Sequence, residues 1–278
     1  MRQCGLSRND QLTEQDFPEM HDAGIGIMEL SPRQNEAYDF LDFDRYTALS
    51  EKYAVRIRSF HLRFVPFETL DISAVDEEAR TKAVTYQKNS MTLAAAAGIR
   101  LFVIHPSGEP IADGERRLRM EAAKRSLAAL AEHAARLGAT VAVEDLPRTC
   151  LGRSSDEILE LIGVDERLRV CFDTNHLLGE DPCDFARKVG KKIVTTHVSD
   201  YDFVDERHWL PGEGRIDWVR LIDTLDEIGY DGPLVYELGL KAPATISRPR
   251  DLNAFDFAEN CVALEKRLKP TVIGKPLV

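Results

Sequence analysis

The six residues TVAVED, Thr140 to Asp145, decide the fold of this chain. Their apolar Val-Ala-Val core shows no polar alternation, which predicts a strand buried on both faces, as in a parallel sheet. Downstream, Ser154 and Glu157 have the three-residue spacing of a capping box, which predicts the start of a helix. The region is therefore interpreted as a strand followed by a helix, with two carboxylates where the strand ends.

The same strand-then-helix unit recurs eight times along the chain. The predicted strands cover residues 3–7, 25–30, 55–62, 99–105, 140–145, 168–173, 192–197 and 233–238. The predicted helices cover 13–23, 38–53, 75–97, 115–137, a segment from 154, 184–189, 218–228 and 255–268. Eight units predict one (β/α)₈ TIM barrel over residues 1–278, close to the roughly 250 residues typical of that fold. A doubly wound sheet is the alternative, but it normally has a glycine-rich turn after an early strand, which the sequence does not show.

Composition narrows the function classes. Hydrophobic residues make up 44% of the chain, and the formal net charge is -11, which disfavours binding to a phosphate backbone. Residues 1–10 have no apolar signal-peptide core, and no apolar run approaches the roughly 18 residues that span a membrane. Five scattered cysteines predict reduced thiols. We expect a cytoplasmic protein with no nucleic-acid or membrane partner.

The ends of the predicted strands carry the chemistry. Seven of the eight strands end in an ionisable residue that can bind metal, namely Glu29, His61, His105, Glu144, Asp173, His197 and Glu237. The carboxyl ends of barrel strands meet at one rim, where barrel active sites lie. Carboxylates gathered there would repel each other and would be costly to bury, and a cation removes that cost.

Four of these residues lie on consecutive strands and are expected to bind one divalent ion: Glu144, Asp173, His197 and Glu237. Three carboxylates and one imidazole, without cysteine, favour Mn²⁺, Mg²⁺ or Co²⁺ over a structural Zn²⁺ site. We expect one ion per chain, Mn²⁺ first, with Mg²⁺, Co²⁺ and Zn²⁺ as alternatives. Coordination positions would remain open for substrate oxygens.

Other polar residues are candidates for substrate contact. His176 follows Asp173 by three residues and is expected to contact a substrate hydroxyl or to support a metal ligand. The long polar loop after strand seven supplies Asp200, Arg207, His208 and Glu213, each equally plausible as a brace of the loop. Arg215 and Lys241 are candidates for a phosphate contact. Two histidines, His21 and His133, lie in predicted helices and are expected to be surface or packing residues.

These motifs resemble the sugar phosphate isomerase/epimerase group of xylose isomerase-like barrels. The resemblance rests on the strand ends His61 and His105 and on the runs EDLP (144–147), CFDTNH (171–176), THVSD (196–200), PGEGRIDW (211–218) and VYE (235–237). It implies a small-molecule sugar substrate and is compatible with a homo-oligomer. In the ketose 3-epimerase branch, the positions matching Glu144 and Glu237 are metal ligands that also act as acid and base through an enediolate. Positions matching His176 and an arginine, here nearest Arg207, hold the sugar, and His61, His105 and His208 are further expected substrate contacts.

Three alternatives stay open. A metal-dependent lyase, such as an inosose or dehydroshikimate dehydratase, would use the same base and metal on this scaffold. An abasic-site nuclease resembling endonuclease IV would use a three-zinc cluster, and its Asp-Arg-His motif appears here as Glu206-Arg207-His208. The net charge of -11 argues against the nuclease. A non-catalytic binding protein would not need clustered carboxylates.

Overall fold

Eight parallel strands, β1 to β8, each pair with the next, and β8 pairs back with β1 to close a barrel. The computed structural model describes residues 1–7, 13–31 and 41–277. The strands are Cys4–Ser7, Ile27–Leu30, Arg56–His61, Leu101–Ile104, Thr140–Glu144, Arg169–Asp173, Ile193–Val198 and Leu234–Glu237. The predicted (β/α)₈ barrel is confirmed.

Helices surround this barrel. In the described part of the chain, α1 to α9 are Asp16–Asp22, Phe43–Tyr53, Phe67–Leu70, Glu77–Ala96, Arg116–Arg136, Ser155–Ile162, Pro182–Val189, Trp218–Glu227 and Ala254–Glu265. The short helix α3 and a small antiparallel pair, β9 (Ile246–Ser247) and β10 (Lys275–Pro276), were not predicted from the sequence. None of the helices in the described ranges is both long and apolar enough to cross a membrane.

Capping residues set the helix boundaries. Ser154 accepts a hydrogen bond from the Glu157 amide, as predicted, but the Glu157 carboxylate accepts from the Gly152 amide and pairs with Arg116. Helix α2 begins at Phe43, where Asp42 is the N-cap, so residues 41 and 42 of the predicted helix are not helical; its predicted start at residue 38 lies outside the described residues. Helix α7 begins two residues before the predicted start, because Asp181 caps it and a proline occupies its first turn.

The interior of the barrel has two different halves. Side chains of a strand alternate between the inside and the outside of the barrel, so Ala142 points inward like Glu144. Val103, Ala142 and Cys171 form a small apolar cluster with Leu101 and Val194. A much larger cluster fills the layer between the strands and the helices. This small apolar cluster leaves room for polar side chains at the carboxyl end of the barrel. All five cysteines are free thiols.

Candidate metal centre

The four predicted metal ligands converge at the carboxyl ends of β5 to β8. Glu144, Asp173, His197 and Glu237 are all buried, and their ligand atoms lie within 4.8 Å of one another. The Nδ1 atom of His197 lies 3.0 Å from Glu144 Oε1, 3.4 Å from Glu237 Oε2 and 3.8 Å from Asp173 Oδ2. The arrangement has the size and the donor types of a divalent-cation site.

The carboxyl groups of this cluster have shifted pKa values, as expected where buried acidic groups lie close together. Burial raises the pKa of Glu237 to about 7, and the neighbouring carboxylates of Glu144 and Asp173 add to the shift. Burial also raises the pKa of Asp173, whose Oδ2 atom has no hydrogen-bond partner among the described residues. A divalent cation would bind this Asp173 oxygen as a ligand and would keep the carboxylates of Glu144, Asp173 and Glu237 ionised.

A carboxylate below the cluster orients His197. The Nε2 atom of His197 lies 2.8 Å from Glu29 Oε1, and the Glu29 carboxylate also accepts hydrogen bonds from Ser7 and Ser59. A carboxylate only accepts, so Nε2 carries a proton there and Nδ1 is the atom that faces the cluster. Metal-binding histidines commonly have such a carboxylate partner. Sequence reasoning placed Glu29 at a strand end but did not find this supporting role.

A second group of ligand type lies beside the first and shares Glu144 with it. The Oε2 atom of Glu144 lies 3.1 Å from His61 Nε2 and 3.3 Å from His105 Nε2. His61 Nδ1 lies 2.9 Å from the Leu62 carbonyl oxygen, to which it donates, so Nε2 faces Glu144. The structure thus places two expected substrate contacts, His61 and His105, directly against a predicted metal ligand.

A third group, nearer the solvent, joins His176, Glu206 and His208. His176 Nδ1 lies 2.8 Å from the Asp145 carbonyl oxygen and its Nε2 atom lies 3.3 Å from Glu206 Oε2. His208 donates from Nδ1 to the Glu237 carbonyl oxygen at 3.0 Å. Burial opposes ionisation of Glu206, but the hydrogen bond to His176 and the neighbouring positive charges together lower its pKa to about 2. Glu206 is therefore held as a carboxylate beside His176.

These groups open into a cavity of about 430 Å³, within the range of small-molecule sites. Phe64 forms part of its wall and stacks on His105, with ring centroids 4.0 Å apart. The cavity is lined by Ser31, Phe64, Phe67, His105, Ser107, Glu109, Glu144, Leu146, Pro147, Arg148, Cys150, His176, Glu206, His208 and Glu237.

The arginine at the cavity is Arg148, and sequence reasoning missed it. Its guanidinium bonds to Glu109, Asp205 and Glu206, so it joins the loops that follow β4, β5 and β7. Arg207, the expected sugar contact, lies instead against Asp202 at 2.9 Å and is not among the side chains that line the cavity. Its contact with a sugar stays a prediction.

The rest of the polar loop after β7 braces itself. The Asp200 carboxylate accepts hydrogen bonds from the amides of Gly212 and Ile216 and from the Trp218 indole. Glu213 pairs with Arg248 at 2.7 Å, and both side chains are fully buried. Asp200 and Glu213 therefore stabilise the conformation of this loop.

The remaining histidines and basic candidates lie away from the cavity. His133 contacts Thr92 and the Lys88 carbonyl oxygen, so it packs α5 against α4. His21 is exposed in α1, and Arg215 and Lys241 are exposed residues outside the cavity lining.

Two curated proteins match the sequence. An uncharacterised protein of Methanocaldococcus jannaschii is 26% identical over 206 residues, which cover 68% of this chain and 66% of the relative. An uncharacterised protein of Sinorhizobium fredii is 26% identical over 172 residues, covering 57% and 53%. The chain therefore matches less than two thirds of the length of either relative.

Solved structures share the fold. A D-psicose 3-epimerase superposes with a TM-score of 0.78 at 17% identity, over 98% of this chain and 100% of that chain. A D-tagatose 3-epimerase-like protein gives 0.73 at 23% identity, over 86% and 91%. A 3-keto-D-glucoside 4-epimerase from E. coli gives 0.72 at 16% identity, over 96% and 100%. Residues 17–252 match a family model described as xylose isomerase-like TIM barrel. The chain belongs to the xylose isomerase-like TIM barrel family.

Proposed function

We propose that this protein is a divalent-metal-dependent isomerase or epimerase of a ketose, a sugar phosphate or a polyol-derived ketone. One observation carries the proposal: Glu144 and Glu237 face a common point beside His197, on the wall of a cavity of about 430 Å³. Structures of the same fold are described as D-psicose 3-epimerase and L-ribulose 3-epimerase, which supports a sugar as the substrate.

The residues present fit the metal, and Glu144, Asp173, His197 and Glu237 would hold one ion, with Mn²⁺ as the first expectation. When the ion is bound, the sugar carbonyl is polarised and the adjacent C–H bond becomes more acidic. The apolar wall formed by Phe64, Phe67 and Leu146 limits water around the substrate.

The two glutamates are suited to opposite halves of a proton exchange. Burial would raise the pKa of Glu144, but the charges of His197 and His105 lower it well below its usual value. Burial raises the pKa of Glu237 to about 7. These pKa values belong to the metal-free chain, and a bound cation would lower that of Glu237, so the division of acid and base roles rests on the position of the two carboxyl groups on either side of the substrate. One carboxylate takes the proton from the carbon beside the carbonyl, and the other returns a proton to the substrate.

The test is proton exchange with solvent. The protein with Mn²⁺ is incubated with a panel of ketoses and inososes in D₂O, and deuterium at the carbon beside the carbonyl is followed by NMR. Glu144→Gln and Glu237→Gln should each abolish turnover while the circular dichroism spectrum is retained, and the variant that keeps the base can still exchange the proton on one face. Glu132→Gln, an exposed residue of α5, is the matched control. Near-normal turnover by either cavity variant would refute the two-glutamate proposal.

The same assay separates an isomerase from a lyase. A dehydratase would use the same base, but the product would lose a hydroxyl group and gain a conjugated double bond. A dehydrated product, together with recovered sugar that carries no deuterium, would favour the lyase.

A metal-dependent abasic-site nuclease is the second candidate, because several neighbouring and partly overlapping groups of possible metal ligands are present among the described residues. The cavity mouth argues against it, since the one guanidinium that lines the cavity among the described residues, that of Arg148, is surrounded by Glu109, Asp205 and Glu206. That mouth would repel a phosphate backbone. Metal content by mass spectrometry decides: one ion per chain supports the isomerase, and three Zn²⁺ per chain together with cleavage of abasic DNA would replace it by the nuclease.

A further inference from the structure

The amino-terminal end of the barrel, opposite the candidate metal centre, carries four arginines around one opening. Arg56 and Arg58 belong to β3, Arg100 immediately precedes β4, and Arg169 begins β6. They line a cavity of about 320 Å³ together with Leu101, Thr140 and Val194, which lie at the starts of β4, β5 and β7. We call these four residues the arginine ring.

The charge of the arginine ring is not balanced by the protein around it. Within residues 1–7, 13–31 and 41–277, none of the four guanidinium groups is ion-paired with a carboxylate. The whole chain has a formal net charge of -11, so four unpaired cations at one opening are a local exception. Like charges held together repel, and a bound anion relieves that repulsion.

Backbone carbonyls hold three members of the ring in place. Arg58 donates from Nη2 to the Val194 carbonyl oxygen at 3.0 Å, across the barrel mouth. Arg169 donates from Nη1 to the carbonyl oxygens of Glu166 and Leu168 at 2.7 and 2.8 Å. Arg100 donates from Nη1 to the Ile99 carbonyl oxygen at 3.0 Å. These hydrogen bonds use one nitrogen of each guanidinium and leave its other N–H groups for a ligand.

One buried hydrogen-bond donor of the ring has no acceptor in the described part of the chain. The Nε atom of Arg58 is buried and has no hydrogen-bond partner among the described residues. Buried donors without a partner are rare in proteins, and such a group suggests an absent water or ion. Arg58 also lines a neighbouring cavity of about 390 Å³, to which Lys191 adds another cation and Asp231 an exposed carboxylate. Lys191 and Asp231 have opposite charges, so the excess positive charge is confined to the arginine ring.

We propose that the arginine ring binds a compact anion with two or more phosphoryl groups. Guanidinium groups pair with phosphate oxygens in a bidentate, charge-assisted manner, and several fixed groups around one opening favour an anion of high charge over chloride. The site lies at the opposite end of the barrel from Glu144 and Glu237, so the proposal does not depend on the proposed reaction.

The test is calorimetric titration of inorganic pyrophosphate into the full chain, stripped of metal by dialysis against a chelator, at constant ionic strength. We expect saturable binding of one pyrophosphate per chain. Arg100→Gln combined with Arg169→Gln should weaken it by about tenfold or more, because two charge-assisted contacts are lost. Arg117→Gln combined with Arg136→Gln makes the same charge change on exposed residues of α5 and should have little effect.

Three outcomes would overturn the proposal. They are the absence of saturable heat with the wild-type chain, unchanged affinity in the Arg100/Arg169 variant, and an equal loss in the α5 control. If the first double variant does not fold, Arg56→Gln tests the same site, because Arg56 is an exposed residue at the rim. Pyrophosphate affinity should fall severalfold in that variant, and full affinity would contradict the proposal.

Discussion

Replacing Glu29 by glutamine tests whether this buried carboxylate prepares His197 for metal. Glutamine keeps the shape of the side chain and can still bond to Ser7 and Ser59, whose hydroxyls lie 3.0 and 2.7 Å from the Glu29 oxygens. What it removes is the negative charge 2.8 Å from His197 Nε2. That charge favours the tautomer with the proton on Nε2 and makes Nδ1 a stronger donor to a cation.

The expected loss of metal affinity follows from this contact. Removing the carboxylate partner of a metal-binding histidine costs about 10- to 100-fold in affinity, or about 1.4 to 2.7 kcal/mol. Mn²⁺ affinity would be measured by competition with a chelator, and circular dichroism would check the fold. Glu132→Gln, exposed on α5, is the matched control. A Glu29→Gln protein that folds and binds Mn²⁺ as tightly as the wild type would refute the reasoning.

Two further predictions concern stability. Burial raises the pKa of Glu237 from 4.5 to about 7, so the folded metal-free chain keeps a proton that the unfolded chain releases. This contribution is fully present below pH 4.5 and is lost as pH rises through 7, at a cost of up to about 3 kcal/mol. The Tm in chelator should therefore fall from pH 5 to 8, and Mn²⁺ should reduce the fall; a Tm that rises would contradict this. Gly214→Ala should destabilise the fold by about 1 to 3 kcal/mol in urea unfolding, because its Cβ would lie 2.3 Å from Asp200 Oδ1. Gly114→Ala, with open space around it, is the control, and equal effects would count against the steric explanation.

The barrel could be predicted from the sequence because its signals are local. Apolar runs such as Val141 to Val143 specify buried strands, and caps such as Ser154 specify where helices begin. The predicted boundaries were wrong where the cap was not recognised: Asp42 and Asp181 each accept backbone hydrogen bonds that fix the start of a helix. Helix α3 has only four residues, too few to show a helical period.

The sequence by itself determined that this chain is a barrel and that seven strand ends carry residues able to bind metal, because strand order places those ends on one rim. Only the tertiary structure decided which of them share one small space and what each side chain contacts. Glu29 and His197 are 168 positions apart in the chain, yet their contact sets which imidazole nitrogen faces the cluster. Arg148 lies on the cavity wall and Arg207 does not. The packing of the loops determines which of the two arginines reaches the cavity. Such contacts depend on distances between remote residues, and no local pattern in a single sequence records those distances.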